Sequence, residues 1–173
     1  YLDDRSEKPW GEYKKGAIDL VISALAAANF VYFNQELTNI SFFGFNLSIH
    51  PVVFGIIATI LFWLLINATN CSDGIDGFCG SLSIVSMVSA MIAISIFGTD
   101  SNTNLMIILM ILALIPYLWK NAEPSTMMMG DAGSRAIGLF LCICILKTGN
   151  IILTVPFCFM LCLDGLLGIV KVS

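Results

Sequence analysis

Residues 51–77 read PVVFGIIATILFWLLINATNCSDGIDG. Positions 51–66 carry no charge, and Thr59 is their one hydroxyl; Asn67, Asn70, Asp73 and Asp76 then follow at three-residue intervals. As a helix the apolar part is about 24 Å long, close to the thickness of bilayer hydrocarbon. A greasy run that stops abruptly at a set of acids and amides reads as a membrane span delivering the chain into a polar loop.

The same alternation extends in both directions. Only 12% of the 173 residues are charged and mean hydropathy is +0.91, against roughly 25% charged in a soluble domain. The pattern predicts an all-α polytopic membrane protein with spans near 17–33, 51–67, 78–97, 104–119, 134–148 and 151–170. Several of these are short for a bilayer, so their ends are expected to reach into the flanking loops. The stretch 34–50 alternates polar and apolar residues around Gly44, as a short extracytoplasmic β-hairpin would. Residues 1–173 read as a single integral-membrane domain, incomplete at both ends, because the chain opens inside a polar motif without Met and closes as an apolar run finishes. The six Cys lack a paired metal-ligand spacing and read as small buried hydrophobes. Net charge, −4, says little about a chain whose charges avoid its spans.

Acids punctuate the polar breaks: Asp3 and Asp4, then Asp73 and Asp76, then Asp131. Two expected spans separate the first pair from the second, and two more separate the second from Asp131. An even number of crossings returns the chain to its starting side, so all five carboxylates face one compartment. Arg5, Lys8, Lys14, Lys15, Lys120, Arg135 and Lys171 fall on that side and only Lys147 opposite. This asymmetry marks the acidic side as cytoplasmic.

Each loop has a functional and a plain reading. Asn67, Asn70, Asp73 and Asp76 would share one side of a helical turn, with Gly74 and Gly77 admitting a ligand close to the backbone; alternatively Asp73 or Asp76 caps the helix at 78–97. Asp3 and Asp4 would repel a phosphate and each other unless a divalent cation intervened, and Mg²⁺ suits such a site. Gly130-Asp131-Ala132-Gly133-Ser134 puts an acid where a helix N-terminus offers N–H groups to anions, or else Asp131 is an ordinary N-cap. Met127, Met128 and Met129 are either membrane packing or a soft lid over a flat ring. Asp164, inside the last apolar run, calls for a polar cavity or a helix break at Gly165 and Gly168. His50 falls on the far side.

Taken together, Asp3-Asp4, the Asn67-x-x-Asn70-x-x-Asp73-Gly74-x-Asp76-Gly77 strip, and Asn121 with Met129-Gly130-Asp131-x-Gly133-Ser134 resemble the polyprenyl-phosphate sugar-1-phosphate transferase family. Its phospho-N-acetylmuramoyl-pentapeptide transferases are the nearest branch. The resemblance covers essentially the whole chain and implies about ten spans in the complete protein. It implies Mg²⁺-dependent transfer of phospho-N-acetylmuramoyl-pentapeptide from UDP to undecaprenyl phosphate in a bacterial inner membrane, giving lipid I and UMP for peptidoglycan. By position, Asp3 and Asp4 match the family's catalytic acid pair beside the lipid phosphate, and Asp131 matches the catalytic acid that ligates the metal. Asn70, Asp73, Gly74, Ile75 and Asp76, with Asn67 adjoining, match the strip that contacts the donor nucleoside or nucleoside inhibitors. Asn121 belongs to the same region, and Met128 stands where the family usually carries a Phe over uracil. Lys14 and Lys15 are the candidates for the phosphate-side lysines, and the family's His-rich motif is expected beyond residue 173. The implied partners are undecaprenyl phosphate, UDP-N-acetylmuramoyl-pentapeptide and the lipid bilayer, with a homodimer allowed and no nucleic acid. The alternatives are a sister enzyme loading N-acetylglucosamine-1-phosphate from UDP-N-acetylglucosamine, or, in a different class, a cation transporter. A CDP-dependent phosphatidyltransferase is disfavoured because the chain lacks an Asp-Gly-x-x-Ala-Arg stretch.

Overall fold

A computed structural model describes residues 11–42, 45–97 and 101–172. Helix α1 (Glu12–Phe33) leads through a 3-10 turn (Gln35–Thr38) to strands β1 (Asn39–Phe42) and β2 (Phe45–Ser48), which pair antiparallel with Asn39 opposite Ser48. Then follow α2 (Pro51–Ser72), α3 (Phe78–Phe97), α4 (Ser101–Asn121), α5 (Gly130–Leu146), a 3-10 turn (Ile151–Leu153) and α6 (Thr154–Val172).

Among the described residues, four stretches are long and apolar enough to cross a membrane: Tyr13–Phe33, Pro51–Ser72, Phe78–Phe97 and Asn102–Asn121. Ile151–Asp164 is apolar but shorter. The start of α2 shows how sequence sets an end. Pro51 sits where its missing N–H costs nothing, and the Nδ1 of His50 accepts the Val52 N–H at 3.3 Å. His50 therefore caps α2 about 33 Å, 22 residues at the helical rise, from that helix's polar end.

Helix α2 is the hub, packing against α1, α5 and α6, while α4 leans on α3. Phe54, Phe62, Leu65, Met87, Ile94, Leu141, Ile145 and Leu161 fill the core. The α2–α5 crossing is close because Gly138 has no side chain: a Cβ there would lie 2.6 Å from the Leu65 carbonyl oxygen and 2.8 Å from the Ile66 Cα. Small residues at crossings are how helices approach where lipid supplies no hydrophobic drive. Ser86 adds a polar tie, donating to the Phe157 carbonyl of α6 at 2.5 Å. Leu25, Ile56, Ile60, Val85, Ile96, Leu105, Leu109 and Leu112 are exposed. An exposed apolar belt of this kind suits contact with lipid and not with water.

The structure shifts three expected boundaries. Helix α2 continues to Ser72, so Asn67 and Asn70 stand on its last turns and not in a loop. Helix α5 begins at Gly130, so Asp131 lies inside its first turn. Helix α6 runs unbroken through Asp164 and Gly165 to Val172, so of the two readings of Asp164 the helix break is not found. The reason is plain in the third case: Gly165 and Gly168 permit a break, but neither glycine nor an isolated acid forces one, because every i→i−4 bond remains available to them.

Candidate functional site

Five helix ends meet at one end of the bundle. Hydrogen bonds tie the start of α1 to the start of α5, the end of α2 to the start of α5, and the end of α4 to the start of α3. Starts of odd-numbered helices meet ends of even-numbered ones, which is the arrangement the parity of crossings requires.

Two of the polar loops are stitched together by side chains accepting from backbone. Asn121, 3% exposed, closes α4 and is the centre of the stitch. Its Oδ1 accepts the Gly77 N–H at 2.8 Å, and its Nδ2 donates to the Met127 carbonyl at 2.9 Å and to Ser125 Oγ at 3.2 Å. Asp76 Oδ2 accepts the Ser125 N–H at 3.1 Å, and Asp73 Oδ2 accepts the Gly130 N–H at 3.0 Å. Both Gly77 and Gly130 turn through positive φ, +70° and +71°. Glycine reaches that region without a Cβ penalty, which lets each N–H point at the opposite loop.

Asp131 is the focus of the second group. Its Oδ2 accepts from Lys15 Nζ at 3.1 Å, and its Oδ1 accepts from Asn70 Nδ2 at 3.3 Å. Asn70 Nδ2 also donates to Ser134 Oγ at 3.1 Å, while its Oδ1 accepts from Arg135 Nη2 at 3.3 Å. Arg135 Nη2 stands 3.6 Å from Asp131 Oδ2, and Arg135 Nη1 is in direct contact with Asp19 Oδ2. Burial works to raise the Asp131 pKa, but hydrogen bonds from Lys15 and Asn70 and the charges of Lys15 and Arg135 outweigh it, so the carboxyl sits below its ordinary value. For Asp73 the balance is reversed: burial raises it, the Gly130 N–H opposes, and the Asp131 charge raises it further.

These contacts settle the plainer readings of the two acidic loops. Asp73 closes the C-terminal end of α2 and does not cap α3. Asp76 turns to the loop after α4. Met129 holds the N-cap position of α5, so Asp131 is not a cap; its side chain, 59% exposed, faces outward.

Among the residues singled out from sequence, Asn70, Asp73, Asp76, Asn121 and Asp131 come together in this network. Gly74 and Ile75 form the turn between α2 and α3, with Ile75 exposed, and Met128 is exposed on the neighbouring loop. Asn67 bonds back along its own helix, Nδ2 to the Trp63 carbonyl at 2.8 Å. Asp3 and Asp4 lie outside the described residues. Sequence reading missed the Asp19–Arg135 pair. The signal was an acid three residues inside an apolar span, which has to face a partner.

Among the described residues no group of three His, Cys, Asp or Glu side chains converges as a metal cage. Mg²⁺ needs no such cage: it takes one or two carboxylates and completes its shell with water and phosphate oxygens. Asp131, exposed and ionised, with Asp73 near enough to feel its charge, is such a donor set.

The sequence pattern of Glycosyl transferase family 4 matches residues 1–149. The phospho-N-acetylmuramoyl-pentapeptide-transferase of Treponema pallidum (strain Nichols) is 35% identical over 190 aligned positions, covering 99% of this chain and 52% of the relative. The protein of the same name from Campylobacter jejuni (serotype O:6, strain 81116) is 29% identical over 88% of this chain and 48% of its own. That from Staphylococcus haemolyticus (strain JCSC1435) is 39% identical over 58% of this chain. The chain thus spans about half the length of the Treponema and Campylobacter relatives.

Proposed function

The chain belongs to Glycosyl transferase family 4, and we propose that it works as a phospho-sugar transferase, moving phospho-N-acetylmuramoyl-pentapeptide from UDP to undecaprenyl phosphate at the cytoplasmic face of a bacterial inner membrane. The observation that carries the reading is the convergence of Asn70, Asp73, Asp76, Asn121 and Asp131 on one end of a bundle of membrane-length helices. A site at the rim is where a lipid phosphate entering from the bilayer and a water-soluble nucleotide can meet. The names of the Treponema and Campylobacter relatives supply the donor sugar. Six spans, with β1 and β2 on the opposite side, complete the proposed topology of a single integral-membrane domain.

The reaction is a displacement at phosphorus. A lipid phosphate oxygen attacks the β-phosphorus of the UDP-sugar, the bond to the α-phosphate oxygen breaks, and UMP leaves with that electron pair. The protein's part is positioning and charge control more than covalent chemistry. Asp131 would hold Mg²⁺, which when bound would neutralise the diphosphate charge. Asp3 and Asp4 orient the lipid phosphate. Asn67, Asn70, Asp73, Gly74, Ile75, Asp76 and Asn121 line the donor nucleoside side, with Met128 over the uracil ring. Lys15, already an ion-pair partner of Asp131, is placed to meet phosphate oxygens.

Offering radiolabelled UDP-N-acetylmuramoyl-pentapeptide and UDP-N-acetylglucosamine separately to the full-length protein, with undecaprenyl phosphate and Mg²⁺, tests this reading. Label should enter lipid from the first donor. Label entering only from the second would reassign the sugar. Release of UMP with neither would remove the transferase reading.

A further inference from the structure

Asp19 has no role in the site as described so far. It sits in α1, 4% exposed, in a span whose neighbours are apolar. An ionised acid there is costly unless something compensates it. Ser23 does not: its hydroxyl donates to the Asp19 backbone carbonyl. The carboxylate is met by Arg135 Nη1, a residue 116 positions away in sequence. One guanidinium thus reaches down to a buried acid with Nη1 and up to the site with Nη2, which touches Asn70 Oδ1 at 3.3 Å and approaches Asp131 Oδ2 only to 3.6 Å.

The oxygen Arg135 approaches is already taken. Asp131 Oδ2 accepts from Lys15 Nζ at 3.1 Å. A second cation closing on it would neutralise the carboxylate and compete with any metal. Arg135 is planar, permanently charged and able to hold two acceptors at once. Its resting place between Asp19 and Asp131 is therefore decided by which carboxylate holds it more firmly. Asp19 is the less solvated of the two, its side chain 6% exposed against 59% for Asp131, so its attraction is screened less.

We propose that Asp19 is a positioning residue: by retaining Arg135 below the site, it keeps that guanidinium from closing on Asp131 and leaves the carboxylate available to a divalent cation. The same retention sets the Asn70 amide. With Oδ1 accepting from Arg135, Nδ2 faces Asp131 and Ser134. This inference rests on the assignment of Asp131 as the acid that holds Mg²⁺.

The experiment is Mn²⁺ binding to the full-length purified protein, followed by the loss of the free-ion electron paramagnetic resonance signal, without nucleotide or lipid substrate. Asp131→Ala should abolish the binding; unchanged binding there overturns the metal assignment and this proposal with it. With that assignment standing, Asp19→Asn should weaken Mn²⁺ binding by roughly fivefold, the factor that one partly exposed ion pair sets. Asp19→Asn/Arg135→Gln should restore it, because the competing cation is gone. Wild-type affinity in Asp19→Asn, or no recovery in the double variant, overturns the proposal alone. Should Asp19→Asn fail to fold, Arg135→Gln decides: affinity at or above wild type supports the proposal, and a loss overturns it.

Discussion

Replacing Gly138 by Ala tests whether the α2–α5 crossing sets the site. The added Cβ would stand 2.6 Å from the Leu65 carbonyl oxygen and 2.8 Å from the Ile66 Cα, and it would also meet Thr69 Oγ1. The first two are backbone atoms in a helix, so they cannot swing aside as a side-chain tip would, and the helices must part. Overpacking of a tight contact costs about 1–3 kcal/mol, and rigid neighbours place this case in the upper half of the range. Alanine's better helix propensity returns about 1 kcal/mol. The net expectation is a loss of about 1–2 kcal/mol. Gly16→Ala in α1 is the control: nothing lies within 4 Å of its Cβ, so the propensity term acts alone and stability should hold or rise. Asp131 is seven residues before Gly138 on the same helix, so parting α5 from α2 also draws it from Asn70. Gly138→Ala should lower both melting temperature and transfer rate in detergent-purified full-length protein, while Gly16→Ala lowers neither. Equal melting temperatures for Gly138→Ala and wild type would refute the claim that this crossing depends on a missing side chain.

The remaining predictions concern the site. Asp131→Ala should abolish lipid-linked product in the radiolabel assay yet retain the helical circular dichroism spectrum, since its side chain is largely exposed. Asn121→Ala removes three hydrogen bonds and leaves a buried Gly77–Met127 stitch without its partner; a loss of about 1–3 kcal/mol is expected, read as a lower melting temperature with a raised KM for the donor. Met128→Phe should tighten donor binding about two- to tenfold, as a ring stacked on uracil adds about 0.5–1.5 kcal/mol, with unchanged stability because the side chain is exposed; titration calorimetry with the UDP-sugar would measure it. Removing Mg²⁺ with EDTA should stop transfer without unfolding the protein, because Lys15 already pairs with Asp131; a melting temperature that collapsed with EDTA would show the metal to be structural.

The apolar runs and the meeting of Asp73, Asp76 and Asp131 at one end of the bundle were legible because both depend on composition and order alone. No partner need be known to see that a segment such as 51–66 is too greasy for a loop. Helix ends were less legible. Asn67 and Asn70 look like loop residues by type, yet α2 carries them, and the partners that hold Asn70 there, Asp131, Ser134 and Arg135, all lie on α5, far away in sequence. The Asp19–Arg135 pair was invisible for a different reason: its members are 116 positions apart, and only packing of α1 and α5 around α2 brings them together. Gly138 carried no sequence signal either, since a glycine in an apolar helix is as easily a defect as a crossing point.

The charges bear on how the proposed site would admit a phosphate. Four carboxylates, Asp19, Asp73, Asp76 and Asp131, share the network with two cations, Lys15 and Arg135. One of those cations is committed to the buried Asp19, and the acids that remain repel an anionic diphosphate. Asp73 and Asp76 soften this by spending an oxygen each on a backbone N–H of the facing loop, so those carboxylates brace the loops. Asp131 spends its contacts on side chains that can move, Lys15 and Asn70. A long, flexible Lys can leave a carboxylate for a phosphate at little cost, whereas a backbone amide cannot. Of Asp73, Asp76 and Asp131, the last is therefore the one that can exchange partners when a metal and a diphosphate arrive together.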